Sequence, residues 1–141
     1  MPQRFWILLG SSAVLLWLVS HSFAIIEGRV LYIERAISVD DKQKGLSNRE
    51  SLGEYSGMLF EFNKKDRYVF WMKDMRFPID IIWIDGDRVV ALDEHAQIPS
   101  EGSTDALQRY YAPRDVDKVL EIPAGSAKKW GISVNSKLYA W

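Results

Sequence analysis

The sequence predicts a mainly β fold of the α+β kind: a small antiparallel barrel or sandwich-like sheet with two short helices, preceded by an N-terminal apolar helix. Three observations carry this prediction. Short apolar runs alternate with turn residues from position 29 onward, two brief segments carry helix caps, and residues 5–26 contain no Asp, Glu, Lys or Arg.

The uncharged segment, FWILLGSSAVLLWLVSHSFAII, is 22 residues long. A helix needs about 20 residues to cross the hydrocarbon of a bilayer, so the length suits a membrane anchor. The same stretch is organised like a signal peptide, with Arg4 leading, an apolar run to Val19, and small Ser22 and Ala24 at the spacing a peptidase requires. Arg4 and the terminal amine hold the start inside, so either reading places the domain outside the cytoplasm. Cleavage after Ala24 makes it secreted or periplasmic; retention leaves it membrane-anchored. The boundary expected is 1–26 for the signal peptide or anchor and 27–141 for a single β-rich domain.

That domain has the composition of a packed globule: the chain is 48% hydrophobic and 13% aromatic. All 19 acids follow position 26, whereas one of the 18 bases, Arg4, precedes it, so the domain is slightly acidic. Nucleic acid is a poor fit as partner, because binding phosphates takes clustered Lys and Arg. With no cysteine, disulfides, thiolate metal sites and thiol nucleophiles are excluded.

Residues 29–39 alternate as a strand, with Leu31, Ile33, Ile37 and Val39 on one side. Ser38 with Asp41 three residues on is a capping signal, predicting a short helix over 39–44 that Gly45 stops. Strands follow at 58–62, 68–72 and 80–84. The Asn63 to Asp66 turn chemistry joins the first two as a hairpin, and Asp85-Gly86-Asp87 joins the third to a strand at 88–92. Residues 97–116 lose periodicity and collect Pro and Gly, reading as a long connection. A strand at 119–122, a helix over 123–130 closed by Gly131, and a last strand at 137–141 complete the chain.

Five clusters occur in order: Gly45-Leu46 with Arg49 and Leu52; Gly57-Met58-Leu59-Phe60; Phe70-Trp71-Met72-Lys73; Pro78-Ile79-Asp80-Ile81-Ile82; and Leu120-Glu121-Ile122-Pro123-Ala124-Gly125 with Gly131-Ile132. From about 36 to 138 the chain thereby resembles the prokaryotic family called domain of unknown function 192, whose members are often exported or membrane-tethered. The resemblance implies a small, mainly β domain with short helices and no established activity. The chain departs from the family pattern at Ser47, where Met is common, at Asp74-Met75, where Asn-Thr is usual, and at Asn135-Ser136, where Gly-Asp is usual.

Strand parity over 68–73 sets Tyr68, Phe70 and Met72 toward the core, with Trp71 and Lys73 together on the other face. An aromatic plane beside an ammonium suits a sugar or an anion. Ordinary packing is the competing reading, with the Lys73 stem over Trp71 and its charge answered by Asp80 or Glu121. Arg49 and Glu121 join Trp71, Lys73 and Asp80 as binding candidates, and Tyr111 in the long connection offers a further wall. Metal is not expected: His21 and His95 are isolated, and Asp85, Asp87, Asp93 and Glu94 lack the spacing of a calcium loop. No cofactor motif is present, and neither a nucleophile elbow nor a phosphate loop occurs. Three functions compete. One is a non-catalytic binding module for a small anionic or sugar-like ligand or a cell-envelope component. The others are an enzyme using Lys73 and Asp80, and an envelope assembly factor.

Overall fold

The computed structural model describes residues 22–100 and 108–141. In chain order the elements are β1 (Ser22–Ile26), β2 (Arg29–Ala36), α1 (Val39–Lys44), β3 (Ser56–Asp66), β4 (Val69–Trp71), β5 (Ile79–Asp85), β6 (Arg88–Ala96), β7 (Arg109–Tyr111), β8 (Val116–Pro123), α2 (Ser126–Trp130) and β9 (Leu138–Ala140). The apolar helix expected at the N-terminus lies outside the described residues up to position 21. Within the described residues no helix is long and apolar enough to cross a membrane.

Seven strands form one mixed sheet in the order β6-β5-β8-β3-β2-β1-β9, and β4 pairs with β7 in a separate two-stranded ladder. The large sheet curls into a half-barrel whose edges meet at one end. There Asn135 N–H donates to Val89 O (2.8 Å), Val89 N–H to Ser136 O (2.9 Å) and Leu138 N–H to Asp87 O (2.8 Å). The main-β expectation with two short helices holds. The sheet is not purely antiparallel, because β2 and β3 run parallel.

Three local expectations change. Residues 22–26, assigned from sequence to the apolar segment, form β1, paired with β2 from Ser22↔Ile33 to Ile26↔Arg29 and with β9 on its other edge. The boundary between Ile26 and Glu27 therefore falls in the turn of a hairpin. Second, the segments at 58–62 and 68–72 do not pair with each other: β3 runs on to Asp66, and β4 leaves the sheet to pair with β7, a strand inside the connection read as loop. Third, α2 begins at Ser126, since β8 continues through Pro123 and Gly125 takes the N-cap at φ 82°.

Local chemistry fixes α1 as expected. Ser38 Oγ accepts the Asp41 N–H (3.1 Å) while the Asp41 carboxylate accepts from the Ser38 backbone, closing a capping box. The cap also ends β2 early, leaving Ile37 and Val39 exposed.

Apolar side chains pack on both faces of the sheet. Inside the curl, Leu31, Ile33, Leu59, Ile82 and Leu120 meet Ala127 and Trp130 of α2. On the opposite face Met58, Phe60, Ile81, Trp83 and Val119 meet Leu46, Met72 and Tyr110. Strand β5 is covered on both sides, which is why it reads as a nearly continuous apolar run rather than an alternating one.

Candidate ligand-binding site

A pocket of about 260 Å³ opens where α1 and the following Gly45, Leu46 and Ser47 face β3, β4 and Met75. Its walls are aromatic, because Phe60, Phe62, Tyr68, Phe70 and Trp71 all line it. Phe62 stacks on Tyr68 with ring centroids 3.6 Å apart, and Phe70 stands edge-on to both Phe60 (4.9 Å) and Trp83 (5.6 Å). The Tyr68 hydroxyl is engaged by Lys64 O (2.5 Å). At the rim, Lys42 Nζ lies 4.9 Å from the centroid of Phe62 and donates to Ile37 O (2.7 Å).

Among these apolar groups stands one carboxyl, that of Glu121. It sits in β8 between Met58 of β3 and Ile81 of β5, at the register position that faces the aromatic side of the sheet. Only 6% of Glu121 is exposed, and among the described residues its side chain has no hydrogen bond or ion pair. Removal from water penalises the charged form, so burial pushes its pKa up to about 8.

Of the residues proposed from sequence, the pocket brings together Trp71 and Glu121. Trp71 is 51% exposed at the mouth. Strand β4 ends at Trp71, although burial goes on alternating as expected, with Met72 in the core and Lys73 exposed. Lys73 instead begins a turn docked on the segment after α1: Ser47 Oγ donates to Lys73 O (3.0 Å) and Asn48 N–H to Asp74 O (2.7 Å). Among the described residues its ammonium has no ion pair with Asp80 or Glu121. Those two carboxyls lie on opposite faces of the sheet, as the register Asp80↔Ile122 and Ile81↔Glu121 requires.

Asp80 has a different task. Fully buried, it accepts from His95 N–H (2.9 Å), Gly125 N–H (3.1 Å) and Ala127 N–H (2.9 Å). It thus satisfies free donors at the start of α2, a helix whose N-cap glycine has no side chain to do so. Arg49 forms a forked pair with Glu34 at 2.5 and 2.7 Å. Tyr111 is exposed on β7 opposite Val69 and does not line the pocket. Asp85 is paired with Lys65 (2.5 Å), and Asp93 accepts from Trp83 Nε1 (2.7 Å).

Sequence reasoning placed Phe60, Phe62, Tyr68 and Phe70 as strand or core residues and missed them as pocket walls. Their signal is weak, since aromatics in strands usually pack. Glu121 carried a better one: an acid inside the apolar run Val119-Leu120-Glu121-Ile122, at the parity of buried Val119.

Fold and site define a class of protein: a small β-rich domain whose half-barrel sheet carries an aromatic pocket roofed by a short helix and a two-stranded ladder. The chain belongs to the DUF192 family, whose model, described as uncharacterized ACR, matches residues 23–140. It is similar to the crystal structure of a Sinorhizobium meliloti 1021 protein named as a candidate transcription regulator. The two are 27% identical with a TM-score of 0.74, over 85% of this chain and 92% of that chain. It is similar also to a protein of unknown function from Novosphingobium aromaticivorans DSM 12444: 30% identity and a TM-score of 0.74, over 86% of this chain and 84% of that one. No curated protein matches the chain significantly.

Two departures from the family pattern have a backbone reason. Asp74 and Asn135 adopt φ of 57° and 76°, a left-handed region where Gly, Asn and Asp are the tolerated residues. Asn-to-Asp and Gly-to-Asn exchanges keep that conformation accessible. Beside Asn135, Ser136 Oγ accepts the Ser133 N–H (3.0 Å), a bond that the usual Asp carboxylate is also equipped to accept.

Proposed function

We propose that this domain is a non-catalytic binding module, working outside the cytoplasm, for a small organic molecule with an apolar body and a positively charged head. The observation that carries the reading is the buried Glu121 carboxyl in an aromatic pocket, without a partner among the described residues. Five aromatic residues line the pocket, ring faces attract organic cations, and a carboxylate among them supplies the counter-charge. Lys42 over Phe62 already places one ammonium on a ring of this wall. The extracytoplasmic setting is supported by the uncharged run that precedes β1.

A small anionic or sugar-like ligand draws its support from Trp71 beside Lys73, and Lys73 does not line the pocket. The enzyme reading needs Asp80 to orient Lys73, whereas Asp80 is engaged by three backbone N–H groups. The regulator name borne by the S. meliloti protein is not carried over, since the slightly acidic domain lacks clustered phosphate-binding bases.

The test is a titration with three probes sharing one short alkyl chain: a trimethylammonium, a carboxylate and a glucoside. The ammonium is expected to raise the melting temperature and to perturb Trp71 fluorescence. Its affinity falls about tenfold per pH unit below the Glu121 pKa, because binding must then release a proton. Glu121→Gln is expected to weaken it by about tenfold or more. Binding of the carboxylate or glucoside alone sinks the cationic class, and no shift with any probe in a cooperatively melting protein sinks the binding module.

A further inference from the structure

The outer face of β9, β1 and β2 breaks the rule that a sheet packed on one side presents polar residues on the other. Register aligns Phe23 with Tyr32 and Ile25 with both Val30 and Tyr139, while Phe23 and Trp141 exchange backbone hydrogen bonds at 3.1 and 3.3 Å. Their alternates Ala24, Ile26, Leu31 and Leu138 are buried inside the curl, so these six side chains share the outer face. Val30, Tyr32, Tyr139 and Trp141 are 46–60% exposed, and the Phe23 and Tyr32 rings meet at 5.0 Å. This is one apolar and aromatic patch, and its strands β2, β1 and β9 stand two, three and four places from β8, which carries Glu121.

We infer that this face rests on the interfacial layer of a lipid bilayer, beside the point where the N-terminal segment enters the domain. Two observations choose lipid as the occupant. The patch is made of Trp, Tyr, Phe and aliphatic side chains, the mixture that favours the boundary between hydrocarbon and headgroups. Moreover, the chain reaches β1 directly from residues 5–21, which contain no Asp, Glu, Lys or Arg, and the second residue of β1 is Phe23 of the patch itself. A domain tethered at Ser22 holds this face next to whatever surface carries the preceding segment. The inference is independent of the pocket and of its ligand.

The chain contains no cysteine, so single labelling sites are clean. In the full chain, reconstituted into phosphatidylethanolamine–phosphatidylglycerol vesicles, nitroxides are placed at Tyr32→Cys and Tyr139→Cys, with Asn63→Cys on β3 as the control. All three sites are exposed, so folding is not at issue. The expected result is a loss of collisions with a water-soluble nickel chelate at 32 and 139, with collisions with oxygen kept, while the label at 63 meets the chelate freely. Chelate access at 32 and 139 equal to that at 63 overturns the inference, because the face is then in water. Protection from both reagents also overturns it, since a protein surface, either a second copy or the chain's own leader, then covers the face.

Discussion

Glu121 and Asp80 occupy neighbouring strands and are both buried, yet their surroundings oppose each other. Asp80 is met by three backbone N–H groups, so its charge is answered where it stands. Replacing it with Ala leaves those donors without an acceptor in the core and is expected to cost about 3 kcal/mol or more, read as a lowered urea midpoint. Among the described residues Glu121 has no such answer. Unfolded, its carboxyl titrates near 4.5; folded, at about 8. Between those values the folded state holds more protons than the unfolded one. The stability Glu121 contributes is therefore complete below pH 4.5 and falls as pH rises toward 8. Glu121→Gln cannot ionise. Relative to the parent, the variant is expected to gain stability with pH across this window, by up to about 1.4 kcal/mol per unit, in denaturation curves at successive pH values. A difference that does not change with pH counts against a protonated Glu121.

At the scale of elements, the site depends on how closely β3 and β8 approach. Gly57 lies where a Cβ would come within 2.9 Å of Glu121 O and 3.1 Å of Leu120 Cδ1. Backbone cannot give way there as a flexible side chain can. Gly57→Ala is expected to destabilise by about 1–3 kcal/mol and to shift Glu121 relative to Phe60, so denaturation midpoint and probe affinity fall together. The motif Gly57-Met58-Leu59-Phe60 thus has a physical reading. The glycine admits the neighbouring strand, Leu59 faces the inside of the curl, and Met58 and Phe60 face the pocket side. Helix α1 is the weakest element of the site, with no buried residue of its own. Its position over the pocket depends on the capping box and on the turn at 72–75 that bonds to Ser47 and Asn48.

For the molecule as a whole, the half-barrel among the described residues starts with β1 at Ser22. Strand β1 bridges β2 and the last strand β9, so removing it leaves β9 held only at its other edge, by the bonds to Asp87 and Val89. A chain starting at Ile25 loses most of β1, including fully buried Ala24, whereas one starting at Ser22 keeps all of it. The shorter form is expected to melt several degrees lower than the longer one, at about 4–8 °C for each kcal/mol lost in a domain of this size. For the same reason, a leader removed in the cell is expected to be cut no later than the start of β1, and the mass of the mature protein checks this. Equal melting temperatures for the two truncations would show that β1 is dispensable.

Short-range chemistry made much of this fold legible. Ser38 with Asp41 marked α1, Asp85-Gly86-Asp87 marked the β5–β6 hairpin, and alternation in residues 29–39 marked β2 with Leu31 and Ile33 inward, though it ran past Ala36 and set exposed Ile37 and Val39 on the same side. Each depends on residues within a few positions of one another. Pairing between distant strands left no such trace: the parallel β2–β3 contact and the β4–β7 ladder are chosen by packing over long separations. An apolar run such as residues 22–26 suits a leader and a buried strand equally well, and only its partners β2 and β9 decide between them. The site follows the same division. Composition and order determined a mainly β fold with Trp71 and Glu121 among its notable residues. Tertiary structure decided that Glu121 faces the rings while Asp80 faces α2, because adjacent strands in register send one carboxyl to each side of the sheet.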